Sequence, residues 1–160
     1  MKKELRILIV EDNEMDVKLL ERELVNSPLA FTTHIVETQK EYLDALKHFS
    51  PDIIISDYHQ KDFNASIALR LLKTRKIILP FIVLTGTGTE ETAIECLKEG
   101  ADDYLLKKHL KRLPTAILSA IEKKESEREK AQAFELLKRS EEHYKTLVET
   151  MHEEIGRAHV

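Results

Sequence analysis

A chain of 160 residues can bury one substantial core with an appendage, but not two full domains. With 42% hydrophobic and 34% charged residues and a net charge of -4, it reads as globular and lacks the basic face that nucleic-acid binding needs, so no nucleic acid is expected as a direct partner. A single cysteine, Cys96, rules out an internal disulfide or a Cys-rich zinc site, and no apolar stretch approaches a membrane span; a reducing, cytoplasmic setting without membrane association is expected.

Leu5 to Val10 is apolar except for Arg6 and predicts a buried strand, ended by Glu11, Asp12 and Asn13. Met15, Leu19, Leu20 and Leu24 then recur at helical spacing over Glu14 to Val25, with Asp12 or Asn13 as N-cap and Asn26-Ser27-Pro28 as the stop. Phe31 to Val36 is a more polar strand and the expected edge of a sheet. Thr38 and Glu41 form a capping box before a helix carrying Tyr42, Leu43, Ala45, Leu46 and Phe49, which Pro51 ends. Ile53, Ile54 and Ile55 are consecutive and β-branched, as suits a strand covered on both faces; the run stops at Asp57, and the polar stretch Tyr58 to Asn64 reads as loop.

Ile67, Leu69, Leu71 and Leu72 mark a third helix, and Pro80 opens a fourth strand, Phe81 to Leu84, ending at Thr85. Thr87 and Glu90 match a capping box for a fourth helix through Ile94 and Leu97, which Gly100 is placed to close in the left-handed conformation. Asp103 to Lys107 predicts a fifth strand, and a fifth helix carrying Ile117, Leu118 and Ile121 opens near Pro114, which is acceptable at a first helical position. Strand and helix alternate five times, which predicts an α/β fold with a doubly wound parallel sheet. Glu122 to Lys130 contains no apolar residue but also no Gly or Pro, so the fifth helix is expected to continue. Phe134, Leu137, Tyr144, Val148, Met151 and Ile155 then fall on a heptad-like seam with polar Glu141 in the remaining position, either a short coiled coil or a solvated helix that frays.

In a parallel sheet all carboxyl ends lie on one edge, where open α/β sheets bind ligands. That edge should gather Glu11 and Asp12, Asp57, Thr85 and Lys107. Carboxylates about 5 Å apart repel by roughly 3 kcal/mol per pair at an effective dielectric near 20, so Glu11, Asp12 and Asp57 together call for a cation. Magnesium fits, because it takes a few carboxylates and completes its shell with water and phosphate oxygens. Asp57 is then a candidate nucleophile towards a phosphoryl group, with Lys107 and the Thr85 hydroxyl stabilising its charge. Gly86-Thr87-Gly88 lacks the Gly-Lys-Ser/Thr ending of a phosphate-binding P-loop, and Cys96 reads as a small core residue.

Through Ile-Leu-Ile-Val-Glu11-Asp12-Asn13, Asp-Ile-Ile-Ile-Ser-Asp57-Tyr, Val-Leu-Thr85-Gly86-Thr-Gly and Gly100-Ala-Asp-Asp-Tyr104-Leu-Leu-Lys107, the chain resembles the receiver domain of two-component response regulators, over about residues 4 to 122. The resemblance implies a flavodoxin-like strand order 2-1-3-4-5. It also implies that Asp57 takes a phosphoryl group from a sensor histidine kinase or phosphotransfer protein, with slow autodephosphorylation rather than conventional enzyme turnover. Glu11, Asp12, Asp57 and the backbone carbonyl of His59 are the implied ligands of Mg2+. Thr85, Lys107 and Gly86 are implied to contact the phosphoryl group, and Tyr104 to act as an aromatic switch that follows Thr85. Phosphorylation would then alter the face formed by the fourth helix, fifth strand and fifth helix.

Three positions depart from the family pattern. Lys108 replaces the usual proline, which predicts a less fixed loop before the fifth helix; Gly86 stands where Ala is common; and Gln60-Lys61-Asp62 replaces an apolar residue, Pro and Gly. Residues 1–122 are therefore read as the receiver, and 123–155 as a helical linker, coiled coil and homodimer contact. Arg139 to Glu149 resembles the lead into a PAS sensor domain, of the kind found in hybrid histidine kinases. Residues 156–160 are read as a truncated or appended tail. A docking module that uses the fold without phosphorylation is the main alternative, and a phosphatase with an aspartyl nucleophile the weaker one, since position 59 holds His59 where a second carboxylate is needed.

Overall fold

The computed structural model describes residues 3–158, with side chains through Glu154. Five strands and five helices alternate: β1 Leu5–Val10, α1 Glu14–Val25, β2 Phe31–Val36, α2 Gln39–His48, β3 Ile53–Asp57, α3 Ala65–Thr74, β4 Phe81–Thr85, α4 Glu90–Glu99, β5 Asp103–Leu106 and α5 Leu113–Ala158. A 3-10 segment, Lys107–Arg112, joins β5 to α5. All strand pairs are parallel and their order is β2-β1-β3-β4-β5, the flavodoxin-like arrangement, with β2 at an edge.

The alternation of a strand's side chains builds the two layers. Ile7 and Ile9 point to the side where Leu20 and Leu24 of α1 and Leu113 and Ile117 of α5 pack. Leu8 and Val10 point to the other, against Tyr42, Ala68, Leu69 and Cys96 of α2, α3 and α4. Ile53, Ile54 and Ile55 serve both faces in turn and are wholly buried. Truncating any of them to Ala would cost about 2–5 kcal/mol by loss of transfer energy and cavity formation.

Local chemistry sets the element ends. Asn13 caps α1 by accepting from the N–H groups of Met15 and Asp16, and Thr38 caps α2 by accepting from Glu41. Gly100 ends α4 at φ 117, a conformation that costs glycine little. Two sequence expectations are corrected. The α4 cap is Thr89, whose side chain accepts from the Thr92 N–H, rather than Thr87; the carbonyl of Thr87 is taken by the Thr85 hydroxyl, which keeps that residue in the loop. β5 stops at Leu106, because the chain turns into the 3-10 segment at Lys107. α5 opens at Leu113, so Pro114 lies in its first turn, where a missing N–H is harmless.

The chain divides into two compact units, Met1–Lys124 and Glu125–Val160. Within the second, the chain is helical and Phe134, Leu136, Leu137, Tyr144, Leu147 and Met151 are exposed. The side chain of Ile155, which the seam expectation included, and residues 159–160 of the expected tail lie outside the described residues.

Candidate functional site

The register places Val10 beside Ser56, Asp57 beside Leu84 and Thr85 beside Leu106, so the residues that end or follow β1, β3, β4 and β5 share one sheet edge. Glu11 is 2% exposed and Asp57 7%, whereas Asp12 faces solvent. One carboxylate oxygen from each of the three lies within 4.8 Å of the others. Lys107 Nζ sits against this group, 3.0 Å from Glu11 Oε2 and 3.5 Å from Asp57 Oδ1. Its shortest contact is to a residue the sequence reading did not single out: Asp16 Oδ2, at 2.5 Å. Asp16 lies in the first turn of α1, where an acid is ordinary because it complements the helix dipole, so the sequence held no separate signal for it.

Glu11 is pushed above the usual carboxylate range by its burial and then by the charge of Asp57; the Lys107 contact and the Asn13 N–H, which donates to Oε1 at 3.1 Å, only partly offset this. Its Oε2 has the ion pair with Lys107 and no hydrogen-bond partner among the described residues. That is the electrostatics of a site short of positive charge, and a hard divalent cation fits the donor set. Burial alone would lower Lys107, but its hydrogen bond to Asp16, its close ion pair with Glu11 and the charge of Asp57 outweigh that, so the ammonium is held well above its ordinary range.

The neighbouring loops carry the other expected residues. Thr85 is fully buried and its hydroxyl donates to the carbonyl of Thr87 at 2.5 Å. Tyr104 reaches over the same loop: a Cβ built on Gly88 would lie 1.6 Å from Tyr104 Oη and 2.9 Å from its Cζ. Burial pushes the Tyr104 hydroxyl up; the Thr85 hydroxyl is near enough to oppose this slightly, but it donates to Thr87, and Tyr104 Oη has no hydrogen-bond partner among the described residues. Gly86 is different, because a Cβ there would meet nothing.

After β3, the His59 N–H approaches Asp57 Oδ1 at 3.5 Å and its ring Nε2 lies 3.4 Å from the carbonyl of Thr87, across the mouth of the site. Gln60 is 6% exposed, although the polar run around it reads as plain loop. Its Nε2 donates to the carbonyl of Glu37 at 2.5 Å, tying the loop after β3 to the one after β2. Polarity alone could not show this, since Gln60 Oε1 is buried with no hydrogen-bond partner among the described residues, an arrangement that polarity argues against.

Residues 7–118 match the response regulator receiver domain family. The regulatory protein LuxO of Vibrio vulnificus (strain YJ016) is 33% identical over 97 residues, 60% of this chain and 21% of that protein. The DNA-binding transcriptional regulator NtrC of Klebsiella pneumoniae is 34% identical over 99 residues, 62% of this chain and 21% of that protein. The chain thus spans about a fifth of the length of these relatives. Among solved structures, the signal receiver domain of an HD domain-containing protein from Pseudomonas fluorescens Pf-5 matches with a TM-score of 0.67 at 25% identity, covering 78% of this chain and 99% of that one. The receiver domain of the Francisella response regulator 1452 matches with a TM-score of 0.64 at 23% identity, covering 74% and 98%.

Proposed function

Because the chain belongs to the response regulator receiver domain family over residues 7–118, we propose that it works in a phosphorelay by accepting a phosphoryl group on Asp57 from the phosphohistidine of a sensor histidine kinase or phosphotransfer protein. The observation that carries this reading is the shared edge: a buried aspartate, two further acids and an ammonium within 3.5 Å of the aspartate oxygen. In the step, an Asp57 oxygen attacks phosphorus, the new P–O bond forms as the P–N bond breaks, and the electron pair returns to the donor imidazole. Lys107 supplies fixed positive charge to the transferring oxygens.

Glu11, Asp12, Asp57 and the His59 carbonyl are the residues that would hold magnesium. When bound, the ion supplies the positive charge that the three carboxylates lack. Thr85 must release the Thr87 carbonyl to reach the phosphoryl group, and Tyr104, packed over Gly88, is the side chain placed to respond. The site also gives the Gly86 backbone, unhindered by any side chain, room to approach the phosphoryl oxygens. Residues 1–122 act as the receiver, and 123–155 as a helical linker that pairs with a second copy through its exposed seam and leads into a PAS-like segment.

Acetyl phosphate with magnesium should label the chain once per molecule, and removing magnesium with a chelator should abolish the label. Equal labelling in the presence of the chelator would contradict the metal-dependent reading.

A further inference from the structure

Three carboxylates, Glu11, Asp16 and Asp57, share the single ammonium of Lys107, and the closest is not on the sheet edge but on α1. Asp16 is fixed at the start of a helix: its own N–H donates to the capping Asn13 side chain at 3.2 Å, and its negative charge is favoured there by the helix dipole. The Asp16 and Lys107 side chains are 25% and 19% exposed, so solvent and salt screen the pair only partly. Attraction falls inversely with distance, so Asp16 at 2.5 Å outweighs Asp57 at 3.5 Å by roughly 1.4-fold for equal charges. A phosphoryl group on Asp57 changes that balance, since it adds further negative charge and strong acceptor oxygens within reach of the same ammonium.

We propose that Asp16 is a positioning residue that holds the Lys107 ammonium in the unphosphorylated chain and competes for it with the phosphoryl group on Asp57, so that phosphorylation draws Lys107 away and frees the Asp16 carboxylate on the first turn of α1. This rests on Asp57 being the phosphoacceptor. It adds a second route from the site to the surface besides Thr85 and Tyr104, running through α1. The exposed Met15, beside Asp16 in the same turn, is then where the release is felt.

The test measures affinity for beryllium fluoride with magnesium, a phosphoryl mimic, by 19F NMR in the whole chain, together with the 15N signal of the Lys107 ammonium, assigned by its loss in Lys107→Ala. Asp16→Asn removes the competing charge at constant shape and should tighten the mimic about fivefold, the lower end of ordinary coupling between sites. Asp16→Glu, which restores the charge, should return the affinity towards the wild-type value. In the absence of mimic, the Lys107 signal should move in Asp16→Asn. Unchanged or weaker affinity in Asp16→Asn would overturn the proposal, as would an equal gain in Glu14→Gln, an exposed acid of the same turn, because that assigns the effect to general charge. If the wild-type chain fails to bind the mimic, the phosphoacceptor reading fails by itself. The Lys107 signal then decides on Asp16 alone, and a signal unmoved in Asp16→Asn refutes the contact.

Discussion

Gly88 shows how much a missing side chain can decide. Its backbone lies outside the left-handed region, so alanine is tolerated conformationally, yet a Cβ there would collide with Tyr104 Oη and Cζ. Gly88→Ala should therefore force the Tyr104 ring out while leaving the fold intact. With 3-fluorotyrosine incorporated and the resonance assigned by Tyr104→Phe, the ring signal should become accessible to a soluble paramagnetic agent; a signal as protected as in the wild type would contradict the packing described. Gly88 has no role legible in the sequence beyond the loop, because its partner comes from β5, and pattern within one segment carries no information about a contact between two. The same holds for Asp16: a first-turn acid is so common that only its distance to Lys107 distinguishes it. By contrast, Glu11, Asp12, Asp57, Thr85 and Lys107 were legible, since each ends or follows a strand and parallel topology brings all such positions to one edge.

At the scale of elements, periodicity located most strands and helices because apolar side chains must alternate or recur to reach the two cores, and the consecutive β-branched Ile53 to Ile55 suited a strand buried on both faces. Boundaries were less legible where two residues offered the same chemistry. Thr87 and Thr89 each present a hydroxyl near the start of α4, and the hydrogen bond from Thr85 to the Thr87 carbonyl leaves the capping role to Thr89. The loop after β3 is the other case. The departure Gln60-Lys61-Asp62 replaces an apolar anchor with a polar one, and the amide of Gln60, bonded to Glu37 at 2.5 Å, does the anchoring. Gln60→Ala should lower stability by about 1–2 kcal/mol through the lost bond and packing, and hydrogen exchange over residues 58–64 should quicken. Unaltered exchange and melting would show that the loop holds without the tether.

For the whole molecule, the exposed apolar residues of the second unit mark a helix whose stability needs packing, since isolated helices gain little from propensity alone. Pairing through the seam of Phe134, Leu137, Tyr144, Val148 and Met151 predicts that sedimentation of the chain gives a dimer and that Leu137→Asp with Val148→Asp gives a monomer; a wild-type monomer at high micromolar concentration would reject the seam. The first unit carries the site on its own, with the Asp57 carboxylate at the end of β3 as its centre. The most direct measurement is to label the chain with acetyl phosphate and magnesium, trap the acyl phosphate with borohydride and map the modified residue by mass spectrometry, beside an Asp57→Asn control. Modification at Asp57 alone and an unlabelled Asp57→Asn variant are expected. Stoichiometric label in Asp57→Asn, or a modified residue elsewhere in the wild-type chain, would contradict it.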